Sequence, residues 1–132
     1  MELLNFTHPA LQVRQTKGRG RGVFTTEDLP EGTVVEVAPV IVMKGTERPL
    51  LDQTLLHDYI FLWGKEEDQC CMALGLVPVY NHSYQPNCIY EMNFAKHLMA
   101  VITIQDIKAG KELFFNYNGE AGNDAPLWFD VK

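Results

Sequence analysis

Short runs of β-branched and aromatic residues, each closed off by Gly, Pro or Asp, fill this chain and leave it little to form besides small β-sheets. The runs are "LQVRQT" near the start, "GVFTT" at 22–26, "TVVEVAPVIVM" at 33–43, "CIYEMNF" at 88–94, "HLMAVITI" at 97–104 and "ELFFNY" at 112–117. Only Ala95 and Lys96 separate the fourth run from the fifth. That spacing predicts an antiparallel hairpin, although the pair is poor turn chemistry. The region 47–66 reads as a helical turn followed by an extended piece. Two segments, "TTEDLPEGTVVEV" (25–37) and "TIQDIKAGKELFF" (103–115), align without gaps. Each predicts a strand end, one helical turn started by Asp28 or Asp106, a Gly for positive φ, and a new strand. A turn used twice accounts for the echo. The expectation is a mostly β fold, several small sheets around one core with few helices.

A chain of 132 residues predicts one domain, 1–132, large enough to bury roughly two thirds of its unfolded surface. The apolar share of 46% against 21% charged residues predicts an ordered globule. Three cysteines are an odd number, Cys70 and Cys71 are adjacent, and "MELLNFTHPA" lacks a basic segment followed by an apolar one. These features predict an intracellular, reduced protein, so the N-x-S/T matches at Asn5 and Asn81 are chance fits to a glycosylation pattern. The most apolar run is too short to cross a bilayer and carries Glu36. A net charge of −6 argues against nucleic acid and makes a basic protein or peptide the easier partner.

Three segments carry candidate chemistry. In "KGRGRGVF" (17–24), alternating glycines let backbone approach a ligand, and exposed N–H groups can receive carboxylate or phosphate oxygens; a plain hairpin turn with solvated arginines fits the same residues. In "NHSYQPNC" (81–88), a zinc site would draw on His82 and Cys88 with Cys70, Cys71 or His97, but no pair has the spacing that closes one. Cys88 opens an apolar strand, where a buried thiol is the usual finding and a nucleophile is not. What remains is a turn shaped by Pro86, with Asn81, Ser83 and Asn87 bonding nearby backbone. "GKELFFNY" (110–117) puts Tyr117 at a strand end, with Phe114 and Phe115 on opposite faces.

Singly, none of these selects a reaction. Together, and in this order, G-x-G, N-H-S-x-x-P-N and G-x-E-L-x-x-x-Y resemble the SET-domain family of protein lysine methyltransferases. The likeness runs from about residue 11 to 118 and includes "MALGLVPVYNHS"; residues 119–132 form a short tail. It implies small curved sheets in which the central and C-terminal motifs thread past one another, an arrangement that ordinary topology rules exclude. It also implies S-adenosyl-L-methionine as cofactor and a lysine-containing basic protein or peptide as partner, histone or otherwise; the ligand spacing above leaves no metal expected. The compartment would be nuclear or chromatin-associated for a eukaryotic histone substrate, and cytoplasmic in a prokaryote.

Carried over position by position, the resemblance gives Arg19, Gly20, Arg21 and Gly22 to the turn along the cofactor, with Asn81 and His82 also holding it. Tyr117 becomes the tyrosine at the transfer site, and Phe115 a wall of the lysine channel. Tyr59 in "HDYIF" is a further wall candidate, and Trp128 a residue that folds back over the cofactor. Asn116 stands where the family often has Asp, and cysteine-rich flanking segments are absent. With so short a tail, a homodimer is one way to close the site. The amine must be neutral to attack, which from a free value near ~10.4 costs roughly 4.6 kcal/mol at pH 7. A sulfonium ~4 Å away repels an ammonium by about 4 kcal/mol at an effective dielectric of ~20, so no dedicated base is required. The competing class is a SET-like binding module without catalysis.

Overall fold

The computed structural model describes residues 4–117. Its strands are β1 (Phe6–Thr7), β2 (Leu11–Gln15), β3 (Arg21–Thr25), β4 (Val34–Lys44), β5 (Phe61–Trp63), β6 (Gln69–Ala73), β7 (Asn81–His82), β8 (Cys88–Asn93), β9 (Leu98–Thr103) and β10 (Glu112–Phe115). Six of them form one sheet in the order β5-β6-β4-β9-β8, with β1 also paired to β4. The other sheet runs β2-β3-β10-β7. Among the described residues, helix is confined to α1 (Arg48–Leu51) and single 3₁₀ turns at Gly45–Glu47, Leu55–Asp58 and Val77–Val79. The mostly β expectation therefore holds.

The core lies where inward residues of both sheets meet. Val23, Val35, Trp63, Tyr80, Met99, Leu113 and Phe115 are all fully or almost fully buried there. The 47–66 region folds as read, with α1 and the 55–58 turn followed by β5. The hairpin of β8 and β9 is also present, but its last paired residues are Asn93 and Leu98, so four residues make the turn. Asn93 accepts the Lys96 N–H at 3.1 Å and His97 takes a positive φ of 54°. The poor two-residue turn is avoided by widening it.

The two echoing segments do not form helical turns. Leu29 and Ile107 instead exchange backbone hydrogen bonds at 2.7 and 2.8 Å. Asp28 accepts the N–H of Ala109 and Asp106 accepts that of Glu31, each at 2.9 Å. Each carboxylate finds its donor on the opposite turn, which satisfies the same side-chain appetite that would cap a helix. The pair of turns delivers β4 into one sheet and β10 into the other.

The element that matters most for the site is the parallel pairing of β7 with β10, in which Asn81 faces Phe114 and His82 faces Phe115. β3 lies on the other side of β10, with Val23 paired to Leu113. Three segments distant in sequence thus end at one edge: the glycine turn before β3, the motif beginning with β7, and Tyr117 just after β10.

Candidate active site

The glycine turn is closed by Thr16, whose N–H and hydroxyl both donate to the Gly20 carbonyl, at 2.7 and 2.9 Å. Gly18 and Gly20 hold φ of 90° and 66°, a conformation costly for residues with a Cβ. Gly22 is required for a different reason. A Cβ there would run into the Glu112 carboxylate and the Asn81 amide, which are themselves bonded at 2.7 Å. Asn81 also donates to the Arg21 carbonyl at 3.2 Å, fastening β7 to the turn. The Arg19 guanidinium lies over the Phe114 ring and donates to the His82 carbonyl at 3.3 Å.

His82 works through both backbone and ring. Its Nδ1 accepts the Tyr117 N–H at 2.9 Å, so the neutral ring carries its proton on Nε2. That buried Nε2 has no hydrogen-bond partner among the described residues, and the ring packs edge-on against Tyr84 at 4.4 Å. Burial first, then the nearby Arg19 charge, holds the imidazole below its ordinary pKa. Asn87 does not bond nearby backbone as its turn setting suggests. It reaches across to β10, donating to the Glu112 carbonyl at 2.9 Å and accepting the Phe114 N–H at 2.8 Å. Of the three polar residues assigned to the turn, Ser83 alone accepts locally, from Gln85 N–H.

The Tyr117 hydroxyl donates to the Tyr80 carbonyl at 2.6 Å, and burial pushes its pKa up to about 12. Phe115 is fully buried behind it, stacked on Tyr80 and edge-on to Tyr90, with ring centroids 5.1 and 5.0 Å away. In front of Tyr117 opens a cleft of about 440 Å³, lined by Arg19, Gly20, Arg21, Tyr59, Asn81 and Tyr117 among others. Six of the sequence-derived site residues thus share one cavity. Gly22, His82 and Phe115 stand behind its wall, and Trp128 lies outside the described residues. Three lining residues were not foreseen: Asp58, Pro78 and Val79. Their signal was adjacency, since Asp58 precedes Tyr59 and "PV" precedes the Tyr80–Asn81 step.

The thiols take no part. Cys70, Cys71 and Cys88 are buried, and burial pushes the last two up to about 12, far from thiolate at neutral pH. Among the described residues no three His, Cys, Asp or Glu side chains are grouped to hold a metal.

The SET domain family model matches residues 20–118. This chain belongs to the SET-domain family. It is a protein-lysine N-methyltransferase on the same grounds, since its curated relatives carry that activity in their names. A Schizosaccharomyces pombe histone-lysine N-methyltransferase, H3 lysine-37 specific, is 31% identical over 91% of this chain and 77% of its own length. An H3 lysine-36 specific enzyme of Mycosarcoma maydis is 28% identical over 90% of this chain, which spans 13% of that protein. Among solved structures, a humanized mutant of the Chaetomium thermophilum Polycomb Repressive Complex 2 superposes with a TM-score of 0.70 at 24% identity, covering 89% of this chain and 16% of the other. At that identity the likeness speaks for the fold.

Proposed function

We propose that this SET-domain enzyme uses S-adenosyl-L-methionine to methylate lysine in a histone tail, and that Tyr117 orients the amine at the transfer site. The observation that carries the reading is the convergence of the cationic glycine turn, Asn81, Tyr59 and Tyr117 on one cleft. Its volume suits a ligand of cofactor size. The donor set fits as well: Arg19 and Arg21 supply positive charge for a carboxylate, and Gly20 has open space where a Cβ would stand, so the ligand can approach backbone. When bound, the cofactor supplies an electrophilic methyl group beside a positive sulfur. Everything else is asked of the chain.

Tyr117 donates its proton to Tyr80, so its oxygen offers lone pairs to the cleft, and its raised pKa keeps it a phenol rather than a base. Tyr59 lines the same cavity. His82, held neutral and bonded to the Tyr117 backbone, positions rather than titrates. Phe115 has no hydroxyl to fix a water beside Tyr117, which favours transfer of more than one methyl group. Acidic charge favours a basic tail, and the histone enzymes among the relatives favour histone H3 and a chromatin location. A homodimer would cover the exposed Leu50, Leu55 and Leu56, which neighbour Tyr59 in sequence; sedimentation equilibrium measures it.

The test is a labelled-cofactor reaction on histone H3, followed by mass spectrometry. Label on a tail lysine in di- or trimethylated form is expected. A binding module transfers none, and that result would overturn the proposal.

A further inference from the structure

Glu36, the third residue of β4, has no solvent exposure. Its Oε1 accepts the Tyr80 hydroxyl at 2.9 Å and its Oε2 accepts the Leu76 N–H at 2.7 Å. Gly75 presses on the same carboxylate so closely that a Cβ would collide with Oε2. Burying a carboxyl group is unfavourable even when it is hydrogen-bonded, and a valine like its neighbours would fill a strand interior without that penalty. What the group does is fix both ends of the segment from Gly75 to Tyr80.

That segment leads into the cleft. Pro78 and Val79 line it, and Tyr80, fully buried and stacked on Phe115 with planes 29° apart, offers the carbonyl that takes the Tyr117 hydroxyl. The contacts form a continuous line from the Glu36 carboxylate through the Tyr80 phenol and carbonyl to the Tyr117 oxygen. Resting on the reading of Tyr117 given above, we propose that Glu36 and Tyr80 are positioning residues for methyl transfer. They hold the Tyr80 carbonyl where it captures the Tyr117 proton, which turns the lone pairs of that oxygen toward the cleft. Neither residue lines the cavity, so neither touches the reacting groups directly.

Two variants test this. Glu36→Gln has one acceptor oxygen for two donors, so one of its contacts is lost. Tyr80→Phe keeps the stacking on Phe115 and removes only the hydroxyl. Protein labelled with 13C at the phenol carbon of tyrosine gives a Tyr117 resonance, assigned by its disappearance in Tyr117→Phe. In both variants that resonance is expected to move and kcat to fall about tenfold while both KM values stay within about twofold, because geometry rather than binding is disturbed. The double variant should lose no more than the worse single one, since the two act through one contact. A Tyr117 resonance unmoved in folded Tyr80→Phe overturns the proposal, and so does an unchanged kcat in an active preparation. Should the wild type transfer no methyl group while the resonance moves, the coupling is upheld and the reading of the reaction fails.

Discussion

Tyr117 and Gly22 are held by contacts specific enough to be broken one at a time. Removing the hydroxyl in Tyr117→Phe leaves the ring in place and the backbone bond to His82 intact. Transfer should fall about 100-fold, while the lost hydrogen bond to Tyr80 changes stability by about 1 kcal/mol. A labelled-methyl assay beside thermal unfolding separates the two, and full activity would remove Tyr117 from the site. In Gly22→Ala the added Cβ must push apart the Asn81 amide and the Glu112 carboxylate, an overpacking that costs about 1–3 kcal/mol. Cofactor affinity by calorimetry should weaken, and unchanged affinity would show that the turn need not be so tight. These residues were legible in the sequence because the motifs name them in a fixed order. Glu36 was not, because its partner Tyr80 lies 44 positions away and a lone acid in an apolar run announces no destination.

At the level of elements, the long strands were legible from their β-branched runs, and β5 as the extended piece after the helical turn, while β6 and β7 were not. β7 has only two residues, and "QCCMA" contains no β-branched or aromatic residue to mark it as a strand. The echoing turns were recognised as turns and misread as helical. An aspartate that caps its own helix and one that caps the opposite turn look alike in sequence, and only the Leu29–Ile107 pairing distinguishes them. Asn87 shows the same ambiguity: its side chain serves as one more rung beside β10, pairing with Glu112 and Phe114 backbone. Asn87→Ala strips two backbone groups of their partner and should cost about 1–3 kcal/mol in urea unfolding. It should also loosen β10 and with it Tyr117, so activity and stability fall together. A variant as stable as the wild type would show that water replaces the amide at no cost.

The whole molecule should feel pH chiefly through groups buried near the site. Asp28 and Asp52 sit below their ordinary 3.8, Asp28 mainly through the Ala109 N–H and Asp52 mainly through His57. Their contribution is present above that value and lost only as pH falls through the lower folded values. Glu36 has the opposite sign: burial raises it above 4.5, so its contribution is full below that value and is lost as pH rises through its folded pKa. His82 is depressed below 6.5, so the unfolded chain takes up a proton before the folded one does. Its contribution is complete above 6.5 and is lost as pH falls from there toward its folded value. The thermal midpoint is therefore expected to decline on acidification below pH 6.5. His82→Asn keeps an oxygen to accept the Tyr117 N–H but removes the titrating ring. Its midpoint, lower at neutral pH, should vary less over the same acid range, because the His82 contribution is gone and that of Glu36 has the reverse sign. Parallel curves for the two proteins would place the acid sensitivity elsewhere than at the joint between β7 and Tyr117.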